Sequence, residues 1–189
     1  HSYLDNETRN ELRYWVRAGG RLIVMDSAMD RFVDQKGYGL KQFSNEDEKK
    51  KYEKKQKKRE LSERLNPYKD RQRNNLSYNA YGAILKINLD NTHPLAFGYN
   101  NDYFSLKLRN RRYAFLLRGW NVGITQDSTS VVSGFVGYKA KENLRESMVF
   151  GVENMGRGHV IYLADNPLFR AFWYNGKLLF GNAVFIVGN

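Results

Sequence analysis

Residues 4–25 read LDNETRNELRYWVRAGGRLIVM and combine a helical pattern with a strand pattern. Side chains suited to a buried helical face recur every three or four residues, at Leu4, Thr8, Leu12, Trp15 and Val16. Ser2 or Asp5 can cap this helix, and Gly19-Gly20 can end it. Residues 21–25 are nearly all apolar, which is typical of a strand covered on both faces. This order predicts an α/β sheet in which the helix crosses over from an earlier strand.

The rest of the chain predicts further strands and two late helices. Apolar runs at 83–89, 104–108, 113–117, 122–125 and 131–136 each predict a strand. The runs 148–152 and 159–163 flank Gly156-Arg157-Gly158 and predict a hairpin. Pro167 opens a predicted helix over 168–174, and the mostly apolar segment 178–187 predicts a buried helix. We expect these strands to extend the α/β sheet in antiparallel fashion.

Length and composition predict one domain that covers residues 1–189. The chain has 189 residues, of which 41% are hydrophobic, so it can form a core. It contains no cysteine, which excludes disulfides, thiolate zinc sites, iron–sulfur clusters and cysteine nucleophiles. No apolar run reaches the roughly 18–20 residues that span a bilayer.

The net charge of +11 is concentrated in one segment. Residues 46–73 hold twelve basic and seven acidic residues, a net charge of +5. Acids precede bases by four residues, as in Glu53 with Lys57 and Glu60 with Arg64, which stabilises an exposed helix by about 0.2–0.5 kcal/mol per pair. Residues 45–73 therefore read as a solvated, charged helical insertion. Most of the run lacks the aromatic residues that stack on single-stranded nucleic acid, which argues against nucleic acid as a partner.

Several catalytic patterns are absent from the sequence. His1, His93 and His159 have no second ligand at the spacing of a zinc-binding helix, so the sequence predicts structural histidines and no metal site. Ser133 is not flanked by the glycines of a nucleophile elbow. Gly156 and Gly158 lie between two predicted strands, which indicates a hairpin turn instead of a dinucleotide-binding loop.

One set of polar residues remains as a candidate ligand site. Asp26 and Asp165 each follow a predicted strand, and Arg170 lies one helical turn further on. Ligands of α/β sheets bind beyond the carboxyl ends of strands, so these three residues can hold a polar ligand or serve a hydrolase. The alternative is structural: Asp165 or Asn166 caps the following helix, and Arg170 pairs with a nearby acid.

Three segments carry a resemblance to a known family. They are residues 12–23 (LRYWVRAGGRLI), 90–99 (DNTHPLAFGY) and 156–173 (GRGHVIYLADNPLFRAFW). Together they resemble the C-terminal region of bacterial zinc-carboxypeptidase-like proteins, with the Phe-Arg-Ala-Phe-Trp run as the most distinctive part. That region is similar to the class I glutamine-amidotransferase-like fold, a flavodoxin-type α/β sandwich. The resemblance spans most of the chain outside the charged insertion.

The resemblance implies a flavodoxin-like sandwich that lacks its first strands here. It also implies a non-catalytic accessory domain that packs against, or presents peptide substrate to, an N-terminal peptidase domain of the same parent hydrolase. The zinc ligands of such parents, a His-x-x-Glu pair and a later His, belong to that separate domain, so this chain is expected to bind no cofactor. The amidotransferase nucleophile is a cysteine, which this chain lacks. A periplasmic or extracellular location follows from the resemblance. The alternative function is a polyanion-binding module, for nucleic acid or anionic glycan, that uses the basic residues 49–73.

Overall fold

The computed structural model describes residues 4–126 and 131–188, which form a mixed α/β fold around one sheet. The sheet has seven strands in the described residues: β1 (Arg21–Met25), β2 (Ile84–Leu89), β3 (Asp102–Leu106), β4 (Trp120–Thr125), β5 (Val131–Ser133), β6 (Ser147–Met155) and β7 (Gly158–Leu163). Their order is β1-β7-β6-β4-β2-β3, and β5 also pairs with β2. Only β1 and β7 pair in parallel within the described sheet. The α/β class is confirmed, whereas the flavodoxin-like assignment stays a prediction.

The helices are α1 (Asn6–Arg17), α2 (Glu46–Leu65), α3 (Tyr68–Ser77), α4 (Tyr138–Asn143) and α5 (Tyr174–Phe185). The helix–turn–strand unit at the start of the chain is confirmed. Asp5 caps α1 by accepting a hydrogen bond from the Thr8 backbone N–H at 2.8 Å, and Gly19 takes a positive φ of 123° after its last turn. Ser2 lies outside the described residues.

Helices lie on both faces of the sheet. Side chains along β7 point alternately to the two faces, and their contacts identify the layer on each face. Tyr162 donates a hydrogen bond to Glu153 on the face where the Tyr38 hydroxyl donates to the main chain of α1. His159 points to the opposite face and contacts Gly188, which follows α5. The core between the layers contains fully buried residues from several elements: Val16, Met29, Ile87, Phe150, Ile161, Leu163 and Leu179.

Two predicted elements are wrong, and only some of their apolar residues are buried: Tyr113, Ala114 and Leu116 are, whereas Leu117 and Phe172 are exposed. Residues 113–117 form no strand, because their backbone groups bond to scattered partners: Ala114 N–H donates to Lys41 O, and Tyr113 O accepts from Met148 N–H. The predicted helix over 168–174 is only a 3-10 turn, Phe169–Ala171, in which Arg170 and Ala171 have positive φ values of 50° and 58°. This bend lets α5 begin at Tyr174, four residues earlier than predicted.

The charged segment forms α2 and α3. Asn45 caps α2 through a hydrogen bond from Glu48 N–H at 2.8 Å. The ion pair described within α2 joins Arg59 and Glu63 at 2.6 Å, with the base first. Two further pairs tie α2 to the rest of the domain, Glu48 with Arg112 and Lys55 with Glu142.

A buried carboxyl group lies between the sheet and the α1 layer. Glu153 accepts hydrogen bonds from Gly39 N–H, at 2.8 and 3.0 Å, and from the Tyr162 hydroxyl, at 2.7 Å. Burial raises the pKa of Glu153 above its ordinary value of 4.5, and these hydrogen bonds only partly offset that effect. The folded protein therefore holds this proton to a higher pH than the unfolded chain does.

This raised pKa predicts a pH-dependent stability that Glu153→Gln removes. The stabilisation from the protonated carboxyl is fully present below the unfolded pKa near 4.5 and is lost as the pH rises through the folded pKa. Gln keeps an acceptor for Gly39 N–H and never ionises. In urea unfolding from pH 4 to pH 8, we expect the variant to gain stability over the wild type as pH rises. The exposed Glu142→Gln variant is the control, and an equal pH trend in both variants would contradict the prediction.

Candidate functional site

The structure places Asp26 and Asp165 at the same edge of the sheet. Strands β1 and β7 pair in parallel with Met25 opposite Leu163, so the main chain leaves both strands at the same edge of the sheet. Asp26 directly follows β1, and Asp165 follows β7 by two residues. This is the edge that the sequence singled out as a ligand position.

Asp165 is buried in an ion pair with a lysine that the sequence did not single out. Lys107 Nζ lies 2.8 Å from Asp165 Oδ1, and the two side chains are 4% and 5% exposed. The Ser105 hydroxyl donates to Asp165 Oδ2 at 2.5 Å. Asn166 closes a local turn, because its Oδ1 accepts a hydrogen bond from Leu168 N–H at 2.9 Å, and neither Asp165 nor Asn166 caps the 3-10 turn at Phe169–Ala171. The carboxylate of Asp165 is therefore occupied by an ion pair and a hydrogen bond inside the domain.

The segment after β3 supplies a basic side chain that pairs with each of three acidic side chains at this edge. Every second residue is basic, and each has a partner: Lys107 with Asp165, Arg109 with Asp26 and Arg111 with Asp30. We call these six residues the carboxyl-edge cluster. Arg109 Nε lies 2.8 Å from Asp26 Oδ1, and Arg111 Nη2 lies 3.2 Å from Asp30 Oδ2. The crevice expected to hold a ligand is thus neutralised by the protein's own side chains.

Two further groups show how this edge is held. Asp26 has a positive φ of 47°, a conformation that is costly for a residue other than glycine and persists only when its surroundings enforce it. Burial raises the pKa of the neighbouring Tyr113 hydroxyl, and the carboxylates of Asp30, Asp165 and Asp26 raise it further. The phenol therefore stays protonated beside the cluster.

Arg170 does not join Asp26 and Asp165. Its exposed guanidinium lies over Phe169, with 5.2 Å between its central carbon and the ring centroid. Within residues 4–126 and 131–188, the ion pairs of Asp26 and Asp165 are those with Arg109 and Lys107. Two of the three candidate residues thus share an edge, and their ligand role stays a prediction.

A second site brings together two histidines that look unrelated in the sequence. His93 and His159 line a pocket of about 310 Å³ with Asp90 and Trp120. His93 Nδ1 accepts a hydrogen bond from Leu95 N–H at 3.0 Å, so Nε2 carries the proton in the neutral ring. His159 Nδ1 lies 2.8 Å from Asn154 Oδ1 and acts as a donor, which leaves Nε2 as an acceptor.

The electrostatics of this pocket favour neutral imidazoles. Burial lowers the pKa of His93, an effect that Asp90 partly offsets, and burial also lowers the pKa of His159. The pocket thus presents one donor and one acceptor beside an indole ring. In the described part of the chain, no group of three or more His, Cys, Asp or Glu side chains is arranged to hold a metal ion.

An opening larger than the histidine pocket lies between the helical insertion and the body of the domain. This cleft of about 820 Å³ is lined by α2, α3 and adjacent loops. Four tyrosines, three cations and six carboxamides make up most of its surface: Tyr52, Tyr68, Tyr78, Tyr81, Arg59, Lys69, Arg71, Gln56, Gln72, Asn75, Asn79, Asn110 and Asn143. Tyr78 lies between two cations, with Arg59 at 3.6 Å and Lys139 at 4.6 Å from its ring centroid. We call this surface the tyrosine–amide cleft.

Sequence patterns missed the cleft because its residues come from four separated segments. Tyr78, Tyr81, Asn110 and Asn143 lie outside the predicted insertion, and only tertiary packing places them opposite Tyr52 and Arg59.

Comparison with protein-family models, with curated proteins and with solved structures gave no match to this chain. Among the described helices, none is long and apolar enough to cross a membrane.

Proposed function

We propose that the chain is a non-catalytic accessory domain of a zinc-carboxypeptidase-like hydrolase and packs against its catalytic domain through α5. The resemblance of residues 12–23, 90–99 and 156–173 to the C-terminal region of such proteins suggests the partner. The exposed apolar face of α5 is the observation that carries the proposal.

That face is formed by residues spaced along one side of the helix. Tyr174, Leu178 and Phe185 are 75%, 44% and 71% exposed and lie within a narrow arc at 100° per residue. Gly181 falls on the same arc, and a Cβ placed on it would have no neighbour within 4 Å. Phe97 is 64% exposed and lies beside this face, since a Cβ placed on the adjacent Gly98 would be 3.0 Å from Leu178. Contiguous exposed apolar surface of this kind marks interaction sites.

The absence of a catalytic role is supported by the carboxyl-edge cluster. Lys107, Arg109 and Arg111 pair with the acids that would otherwise act on a ligand. The chain has no cysteine to act as the amidotransferase nucleophile. Zinc would be held by the His-x-x-Glu motif of the separate catalytic domain.

The proposal includes the flavodoxin-type assignment of the sheet. The parallel pairing of β1 with β7 and the packing of α1 beside them support it. Strand β1 lies at the edge of the described sheet, where further parallel strands of the parent protein can add.

The α5 face can be tested in the full-length parent protein by Leu178→Asp/Phe185→Asp. Two carboxylates in a packed apolar interface would be desolvated without partners, so we expect the domains to separate and limited proteolysis between them to accelerate about tenfold or more. The matched control is Leu61→Asp/Leu65→Asp, which places the same charges on exposed residues of α2. Equal proteolysis of both variants, or a parent without a His-x-x-Glu peptidase domain, would overturn the proposal.

A polyanion-binding module that uses residues 49–73 is the second candidate function. The observation that favours it is the tyrosine–amide cleft, where basic residues of the run meet its two tyrosines and two more from outside it, Tyr78 and Tyr81. Affinity for a polyanion such as heparin should then fall steeply between 50 and 200 mM salt. No binding at low salt would remove this candidate.

A further inference from the structure

We infer that the tyrosine–amide cleft is a binding site for an extended acidic peptide. The inference does not depend on the docking face of α5, because the cleft is built from α2, α3 and neighbouring loops. At about 820 Å³, the cleft is large enough for several residues of a peptide chain.

The carboxamides are the first reason to favour a peptide. Six Asn and Gln side chains line the cleft, and each carries both hydrogen-bond donors and an acceptor. A peptide main chain presents N–H and C=O groups in alternation, which this surface matches. A phosphodiester backbone presents only acceptors and would leave the amide oxygens without partners.

Asn110 lies in the lining in a fixed orientation. Its Nδ2 donates to Tyr78 O, which fixes the orientation of the amide. Its Oδ1 is buried and accepts no hydrogen bond from the described residues. Because this oxygen is closed to solvent, it is not the contact for a ligand, and the exposed carboxamides of Gln72 and Asn75 are placed to meet a peptide main chain.

The charges of the lining select an acidic peptide. Arg59, Lys69 and Arg71 line the cleft without an acidic residue among the lining side chains. Glu63 pairs with Arg59 at 2.6 Å and Arg59 lies over the Tyr78 ring, so the charge left for a ligand comes mainly from Lys69 and Arg71. Lys69 and Arg71 are exposed on α3 and are placed to meet carboxylates of the ligand.

The tyrosines supply contact area around these polar groups. Tyr68 and Tyr81 are exposed, and Tyr52 and Tyr78 are half-buried. Tyrosine offers a large, rigid and amphipathic surface at low cost in conformational entropy, which is why it is enriched in sites that bind peptides and proteins. The rings match the side chains of an acidic peptide, the amides match its main chain, and the cations match its carboxylates.

The experiment measures binding of three fluorescein-labelled probes by fluorescence anisotropy with the whole 189-residue chain. The probes are a 12-residue peptide of alternating Glu and Ser, the same peptide with Gln in place of Glu and an amidated C-terminus, and a 12-nucleotide oligo-dT. We expect the Glu peptide to bind at least tenfold more tightly than either other probe. No binding of the Glu peptide, equal binding of the Gln peptide, or tighter binding of oligo-dT would overturn the inference.

Charge-matched variants locate the site. Lys69→Ala/Arg71→Ala removes two cations of the cleft, and Lys51→Ala/Lys58→Ala removes two cations of the same insertion that do not line it. We expect the first variant to weaken binding of the Glu peptide about tenfold and the second less than twofold. Gln72→Leu/Asn75→Leu, at two exposed carboxamides of the lining, should weaken it at least fivefold with an unchanged melting temperature. Equal losses in the two charge-matched variants would show a diffuse charge effect and overturn the assigned site.

Discussion

Replacing Lys107 with Met should destabilise the protein by about 3–5 kcal/mol, because it leaves Asp165 buried without its cation. The carboxylate is 5% exposed, so water cannot replace the lost partner, and the Ser105 hydroxyl provides its remaining described side-chain hydrogen bond. Chemical denaturation of Lys107→Met at neutral pH measures this loss.

Two further variants separate the ion pair from other effects. Lys107→Met/Asp165→Asn removes both charges and keeps an acceptor for Ser105, so it should recover at least half of the loss. Lys86→Met breaks a pair of equal length, 2.8 Å to Asp102, whose side chains are 44% and 39% exposed. That control should cost no more than about 1 kcal/mol. Similar losses for Lys107→Met and Lys86→Met would contradict the structural role of the carboxyl-edge cluster.

Adding one methyl group at Gly176 should cost about 3 kcal/mol, since its Cβ would overlap the main chain of Pro167. The Cβ would overlap the carbonyl oxygen and lie 2.6 Å from the carbonyl carbon of Pro167, and neither atom can move without shifting the turn before α5. Urea unfolding of Gly176→Ala measures the effect.

Gly181→Ala is the matched control within the same helix. Nothing lies within 4 Å of its added methyl group, and alanine favours helix over glycine by about 1 kcal/mol. We therefore expect this variant to be as stable as the wild type or slightly more stable. A loss at Gly181 equal to that at Gly176 would mean that the turn at Pro167 does not limit the start of α5.

The elements that the sequence predicted well depend on local interactions. Helix α1 follows from the spacing of Leu12 and Val16, the Asp5 cap and the glycines at its end, all within one segment. The β6–β7 hairpin follows from two apolar runs around one turn. The failed strand over 113–117 shows the limit of the pattern, because its main chain bonds to scattered partners instead of to a ladder, and Phe115 and Leu117 stay exposed.

The candidate sites were predicted less completely for the same reason. Asp26 and Asp165 reach one edge because their strands are parallel, and this much follows from the position of each residue after a strand. No pattern near Asp26 or Asp165 predicts their ion pairs, because Arg109 and Lys107 come from a distant segment of the chain.

By itself, the sequence determined the α/β class, the starting helix and strand, the terminal hairpin and the lack of cysteine chemistry. Only the tertiary structure decided that Lys107 pairs with Asp165, that His93 and His159 share a pocket, and that the tyrosine–amide cleft exists. Periodicity, capping and turn residues act over a few positions and are visible in the chain. Ion pairs and cavities arise where distant segments pack together, and a single sequence does not encode those distances in any local pattern.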